Sequence, residues 1–188
     1  MRVVISMLRG INLASHNRVK MDALRTLYES LELEDPTTFL QSGNVIFKTR
    51  ERNLVRLAKK IEDGIERTFG FHSDIILRTT EEVREAVAKN PFVRQAKDEP
   101  SKLLVTFLVS EPSAEARASV LKIKCEPEEL RIGGRELYIY FPDGMARPKL
   151  SIPVIERVLK TSGTGRNWNT VMKLLETAET LEGKRESA

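Results

Sequence analysis

Two parts of the chain gather side chains that bind anions. The first is Ser162–Thr170, SGTGRNWNT, where Arg166 stands just ahead of a helix that Asn167 is placed to cap. A cation at a helix N-terminus opposes the macrodipole unless an anion or a carboxylate sits close. Ser162, Thr164, the Arg166 guanidinium and the N–H groups of the first helical turn form a set that can hold a phosphate. The second part is spread over several loops. Arg9 and Asn12 follow the first apolar run, Gln41, Ser42 and Asn44 surround a glycine, Lys20 stands near a helix start, and His72 precedes another apolar run. Arg147 and Lys149, in PDGMARPK, add two more cations. Arginine forks and backbone N–H groups recognise phosphate oxygens, so the chemistry these residues suggest is anion binding.

Other chemistries lack their residues. His16 and His72 are the only histidines, Cys125 is the only cysteine, and none stands in metal-ligand spacing. There is no His-Glu-x-x-His, no Gly-x-Ser-x-Gly elbow and no Gly-Lys-Ser/Thr ending of a Walker loop. No metal or cofactor is expected, and no catalytic residue is assigned. Cys125 lies in KIKCEPEEL, where Lys122 and Lys124 oppose Glu126 and Glu128, and it reads as an incidental thiol. Tyr138 and Tyr140 share one face of a strand. Paired aromatics on an open sheet stack bases, but tyrosine also suits a half-buried strand, and that is the reading preferred. Trp168 falls with Val171, Met172 and Leu175 on one helical face and reads as a core anchor.

These residues are positioned by a regular order of elements. Val3–Leu8 is nearly all apolar and reads as a buried central strand. Met21, Leu24, Leu27, Tyr28 and Leu31 recur at helical spacing, and Asp35-Pro36 breaks that helix. Residues 38–41 and 45–47 are short strands flanking Ser42-Gly43-Asn44, which is hairpin chemistry. Leu54, Leu57, Ala58, Ile61 and Ile65 predict a second helix, Gly70 its C-cap, and 74–77 a strand. The order β-α-β-β-α-β is the ferredoxin-like unit. A second half starts with a helix that Thr79 and Glu82 can box. Residues 94–101 read as loop, 103–109 as a strand and 113–123 as a helix. Strands at 129–132 and 137–141 flank Gly133-Gly134, and helices follow at 151–160 and from about 167 to 178. The second half therefore reads β-α-β-β-α, with a helix where a fourth strand would stand. The expected fold is α+β, with two ferredoxin-like halves whose antiparallel sheets carry helices on one face. The halves are 1–79 and 80–178, with a frayed tail at 179–188.

In a ferredoxin-like unit the third strand lies beside the first. The loop after strand one, the hairpin and the turn before strand four then share one edge. Arg9, Asn12, Lys20, Gln41, Ser42, Asn44 and His72 are expected to gather there as an anion-friendly rim.

The whole chain bounds these readings. Its 188 residues carry 31 basic and 27 acidic side chains, a net charge of +4 that permits a phosphate-bearing partner without demanding one. A single cysteine, no signal-peptide pattern at the N-terminus and no membrane-length apolar run predict a cytoplasmic protein with no membrane partner.

Three stretches together resemble a known family. LRGINLASHNRVKM, FLQSGNVIF, and YFPDGMARPKL followed by GRNWNTVMKLLE are similar to the signatures of domain-of-unknown-function family sixteen ninety-seven, a bacterial family. The resemblance spans Val3 to about Glu176 and implies ferredoxin-like halves but no activity. Ala14-Ser15 stands where the family often has two glycines, and His16 where lysine is common. Pro148 and Gly165 stand where the family often has hydroxyl residues.

The function expected from these residues is a non-catalytic binding module for a phosphate-bearing ligand, nucleotide or nucleic acid. One alternative is an enzyme on a small phosphorylated or acidic substrate, with His72 as the acid–base group. The other is an assembly protein that pairs through exposed sheet edges.

Overall fold

The computed structural model describes residues 1–12, 17–39 and 41–183. His16 and the Ala14-Ser15 pair lie outside the described residues. The elements run β1 (Arg2–Leu8), α1 (Met21–Ser30), β2 (Glu34–Phe39), β3 (Asn44–Thr49), α2 (Leu54–Phe69), β4 (Ile75–Thr79) and α3 (Thr80–Ala88). They continue α4 (Val93–Asp98), a 3-10 turn (Pro100–Lys102), β5 (Leu103–Leu108), α5 (Ala114–Val120), β6 (Glu129–Gly133) and β7 (Glu136–Tyr140). The chain ends α6 (Ile152–Leu159), β8 (Gly163–Asn167) and α7 (Trp168–Gly183).

Two four-stranded antiparallel sheets result, ordered β2-β3-β1-β4 and β6-β7-β5-β8. With their connecting helices both are ferredoxin-like βαββαβ units, so the fold is α+β. The chain forms two compact units, Met1–Arg84 joined by α7 from Lys173 onward, and Glu85–Met172.

In the first unit the strands alternate. Val4, Leu8, Val45, Phe47, Ile75 and Leu77 meet Leu24, Leu27, Tyr28, Leu57, Ile61 and Ile65 of α1 and α2. Fully burying each such side chain stabilises by about 1.5–3 kcal/mol before entropy is counted. Ser6, on the same face, meets the Tyr28 hydroxyl at 2.7 Å, and the Tyr28 ring packs edge-on to Phe47. The alternate residues Val3, Ile5, Met7, Ile46 and Ile76 are buried too. That is why β1 reads as a continuous apolar run. Gly70, at φ +77°, ends α2 as a left-handed cap. Thr79 and Glu82 form the capping box: Thr79 N–H donates to Glu82 Oε2 at 2.8 Å, and Glu82 N–H donates to Thr79 Oγ1 at 3.2 Å.

The second unit buries Leu130, Leu137, Ile139 and Phe141 against Val120, Ile155 and Leu159. Two readings of the sequence are corrected here. Residues 93–98 are helical, not loop; the segment is polar, and Arg94 pairs with Asp98 one turn on. Residues 163–167, read as the approach to the last helix, are β8, the fourth strand of a complete unit.

Candidate functional site

The first unit brings three segments to one sheet edge. Leu8 N–H donates to Gly43 O at 2.8 Å and Arg9 N–H to Asp74 O at 3.0 Å. The Asn12 amide donates to Gln41 O at 2.7 Å, and the Ser73 hydroxyl to Arg9 O at 2.7 Å. Chain order explains the meeting, because β1 pairs with both β3 and β4. Gly43 is required at the hairpin: its φ is +75°, and a Cβ there would stand 2.4 Å from Ile11 Cδ1.

On this scaffold the expected rim residues take distinct roles. Arg9 is partly exposed, and its guanidinium reaches Asp74 Oδ2 at 3.3 Å. His72 is 55% exposed, and its Nε2 meets the other oxygen, Asp74 Oδ1, at 3.2 Å. Asn12, in the left-handed region at φ +53°, is a clasp: besides Gln41 it bonds Val19 through both its oxygen and its nitrogen. That tether sets Lys20, exposed, at the start of α1, where its own side chain makes no capping bond. Gln41 and Ser42 are exposed on the hairpin, while Asn44 is fully buried and donates to Phe39 O and Ser42 Oγ. Arg9, Lys20 and His72 thus present charge or titratable nitrogen, Gln41 and Ser42 present neutral polar groups, and Asn12 and Asn44 hold the frame.

The second set does not form the expected helix-start cluster. Arg166 lies in mid-strand opposite Val105 and is 6% exposed. Its guanidinium donates to Thr164 Oγ1 at 2.7 Å and to Gly165 O at 2.9 Å. Burial lowers its pKa below the ordinary arginine value, to about 10. Asn167 does cap α7, accepting from Asn169 N–H at 3.1 Å, while its amide holds Ser101 O. Trp168 is buried, as its spacing predicted. Arg147 and Lys149 are exposed, and Lys149 N–H donates to Glu128 Oε1. Tyr138 and Tyr140 are buried at 2% and 9% exposure, which removes them as a stacking platform. Their hydroxyls donate to Ala86 O and to Glu99. Burial and the neighbouring Glu128 and Glu126 raise the Cys125 pKa, which keeps the thiol protonated and unreactive.

The family model for proteins of unknown function, DUF1697, matches residues 1–138. The chain belongs to DUF1697. The matched span contains every rim residue and ends before Arg147, Lys149 and Arg166. A solved structure, that of the conserved bacterial protein SP0830 from Streptococcus pneumoniae, is similar at TM-score 0.71 and 19% identity. The match covers 94% of this chain and 98% of that one. At that identity the likeness shows the fold. No curated protein matches the chain.

In this DUF1697 chain one residue of the rim escaped the sequence reading. Asp74 reads as the first residue of a strand, yet its carboxylate joins Arg9 to His72. The signal was present: an aspartate two residues from a histidine in a turn predicted to lie on the rim. Among the described residues no group of three or more His, Cys, Asp or Glu side chains could hold a metal ion. No described helix is long and apolar enough to cross a membrane.

Proposed function

We propose that this DUF1697 chain is a binding module for a phosphate-bearing ligand, nucleotide or nucleic acid, held at the rim of the first unit. One observation carries the reading. Four hydrogen bonds between separate segments tie the Arg9 loop, the hairpin and the Asp74 turn together, and Arg9 and His72 are presented from that fixed main chain. A preordered cationic edge loses little entropy on binding an anion. Lys20 and the start of α1, which the Lys20 side chain does not cap, lie beside it through the Asn12–Val19 clasp. The single thiol, and the bacterial source of the solved structure that the chain resembles, support a bacterial cytoplasmic setting.

Calorimetric titration of inorganic pyrophosphate and of ATP tests this. The wild type is expected to bind one of them saturably, and Arg9→Ala to weaken it about tenfold, or about 1.4 kcal/mol. Equal affinity in Arg9→Ala, or no heat with either probe, would overturn the reading.

A second reading, an enzyme on a small phosphorylated or acidic substrate, is favoured by the His72–Asp74 contact. A carboxylate on one imidazole nitrogen fixes the orientation and tautomer of the ring. On any substrate turned over, His72→Ala is then expected to lose most of kcat; full turnover would exclude the role. Assembly through sheet edges is less favoured at β2. That edge carries Pro36, a register shift between Glu34 and Thr37, and an exposed Asp35 paired with Lys48.

A further inference from the structure

We propose that the outward side of α2 binds the phosphate backbone of a nucleic acid without regard to base sequence. This surface is separate from the rim residues and goes beyond the reading above. The segment from Arg52 to Ile61 carries four cations, Arg52, Arg56, Lys59 and Lys60, and no carboxylate. Lys59 and Lys60 follow Arg56 by three and four residues and Arg67 follows Lys60 by seven, so the four cations lie along one side of the helix, with Asp63 between Lys60 and Arg67. All four are exposed. They line a hollow of about 490 Å³ together with Asn53 and Asp63, among others.

Ion pairing sets this stripe apart from the cations on α1, α3, α4 and α7. Arg25 on α1 pairs with Asp22 and Glu29, and Arg84 on α3 with Glu81, Glu179 and Glu182. Lys89, Arg94 and Lys173 each have a carboxylate three or four residues away. On α2, among the described residues, Lys59 alone has such a partner, Asp63 at 2.9 Å. Arg52, Arg56 and Arg67 form no salt bridge among the described residues, and Lys60 donates to the Leu31 carbonyl. Of the two carboxylates that flank the segment, Glu62 accepts from the Ile75 N–H at 3.2 Å and Glu51 from the Asn53 N–H at 2.8 Å. The Asn53 bond is the main cause holding the Glu51 pKa below the usual range, with Arg56 and Arg2 adding to it. Arginine forks left without carboxylates match phosphate oxygens.

The chemistry of the occupant follows from what α2 has already buried. Its apolar residues Leu57, Ile61 and Ile65 are at most 2% exposed in the core of the unit. The helix therefore has no apolar face left to enter a bilayer; Val55, 83% exposed, is the one large apolar side chain it leaves in solvent. No aromatic side chain lines the hollow to stack a base, and its four cations suit backbone phosphates, which carry no sequence information.

Fluorescence anisotropy of a labelled mixed-sequence single-stranded RNA, titrated with the full chain at several salt concentrations, tests the proposal. Wild type is expected to bind at low salt with a negative slope of log K against log salt. The triple variant Arg52→Gln, Arg56→Gln, Arg67→Gln is expected to lose at least about tenfold in affinity and to flatten that slope by about 2, at about 0.7 per phosphate contact. Circular dichroism checks that its helix content is unchanged, and the corresponding triple Arg→Lys variant is expected to keep most of the binding. The triple glutamine variant is expected to keep the wild-type affinity for pyrophosphate, which reports on the rim, so the two sites fail independently. No saturable wild-type binding, or an unchanged slope in the glutamine variant, would overturn the proposal. So would a protein that pellets with phosphatidylglycerol vesicles but leaves the RNA free.

Discussion

Arg9 is joined to Asp74 twice, through its main-chain N–H to Asp74 O at 3.0 Å and through its guanidinium to Asp74 Oδ2 at 3.3 Å. The first contact fixes the loop and the second sets its charge. Asp74 also contacts His72, so one carboxylate stands beside both the Arg9 cation and the imidazole that an anion would meet.

Asp74→Asn therefore separates charge from geometry. The main-chain bond is untouched, and a partly exposed ion pair of this kind contributes only about 0–1 kcal/mol to stability. Pyrophosphate affinity is expected to rise several-fold by calorimetry while the melting temperature moves little. A fall in affinity would show that Asp74 itself helps to hold the ligand.

Gly43→Ala tests the frame of the rim. The substituted residue would carry a positive φ, and its Cβ would crowd Ile11, which is buried. A loss of at least about 1 kcal/mol in chemical denaturation is expected from the φ alone, with weaker anion binding alongside it. A variant as stable as wild type would contradict the packing described at the hairpin.

Arg166 is expected to act on stability. Arg166→Ala leaves a cavity and releases Thr164 and Gly165 O, a loss of about 2–4 kcal/mol by urea denaturation. Arg166→Met fills the space and is expected to cost less than about 1.5 kcal/mol. The pH dependence has a definite sign. A base with a lowered folded pKa binds its proton more tightly when unfolded, so the charged form opposes folding below about pH 10. That opposition fades as pH rises from there towards the ordinary arginine value. Wild type is expected to gain on Arg166→Met over that range, the difference cancelling other titrations.

Tyr28→Phe removes one half of a buried pair and leaves the Ser6 hydroxyl without its 2.7 Å partner. Burial raises the Tyr28 pKa far above the ordinary range, with the Ser6 bond opposing it. The variant is expected to lose about 1–3 kcal/mol. The double variant Tyr28→Phe, Ser6→Ala is expected to recover part of that loss in a double-mutant cycle. Strictly additive losses would contradict the coupling.

Much of the fold was legible because its signals are local. The apolar run of β1, the helical spacing of α2, the Gly70 cap and the Thr79–Glu82 box are each set by residues close in sequence. Strand β8 was not legible, because Gly-Thr-Gly-Arg-Asn has neither apolar alternation nor β-branched density. Its glycines answer a tertiary need: a Cβ at Gly163 would stand 2.8 Å from Phe107 O on the neighbouring strand. Missing that strand turned Arg166 from a buried residue into an apparent helix-start cation. Helix α4 escaped for the opposite reason, since it buries none of its residues and shows no apolar period.

The rim divides the same way. Topology alone brought Arg9, the hairpin and His72 together, because the order of strands in a ferredoxin-like unit follows from the order of elements. The role of Asp74 depends on a partner 65 residues away, and the stripe on α2 shows only once ion pairs are set against exposure.

The most direct test of the rim is an NMR titration of the full chain with inorganic pyrophosphate, following backbone amides and the Arg9 side chain. Saturable shifts confined to Arg9, Gly10, Asn12, Gly43 and Asp74, and lost in Arg9→Ala, are the result predicted. Resonances there that stay fixed while pyrophosphate binds elsewhere, or does not bind at all, would contradict the account.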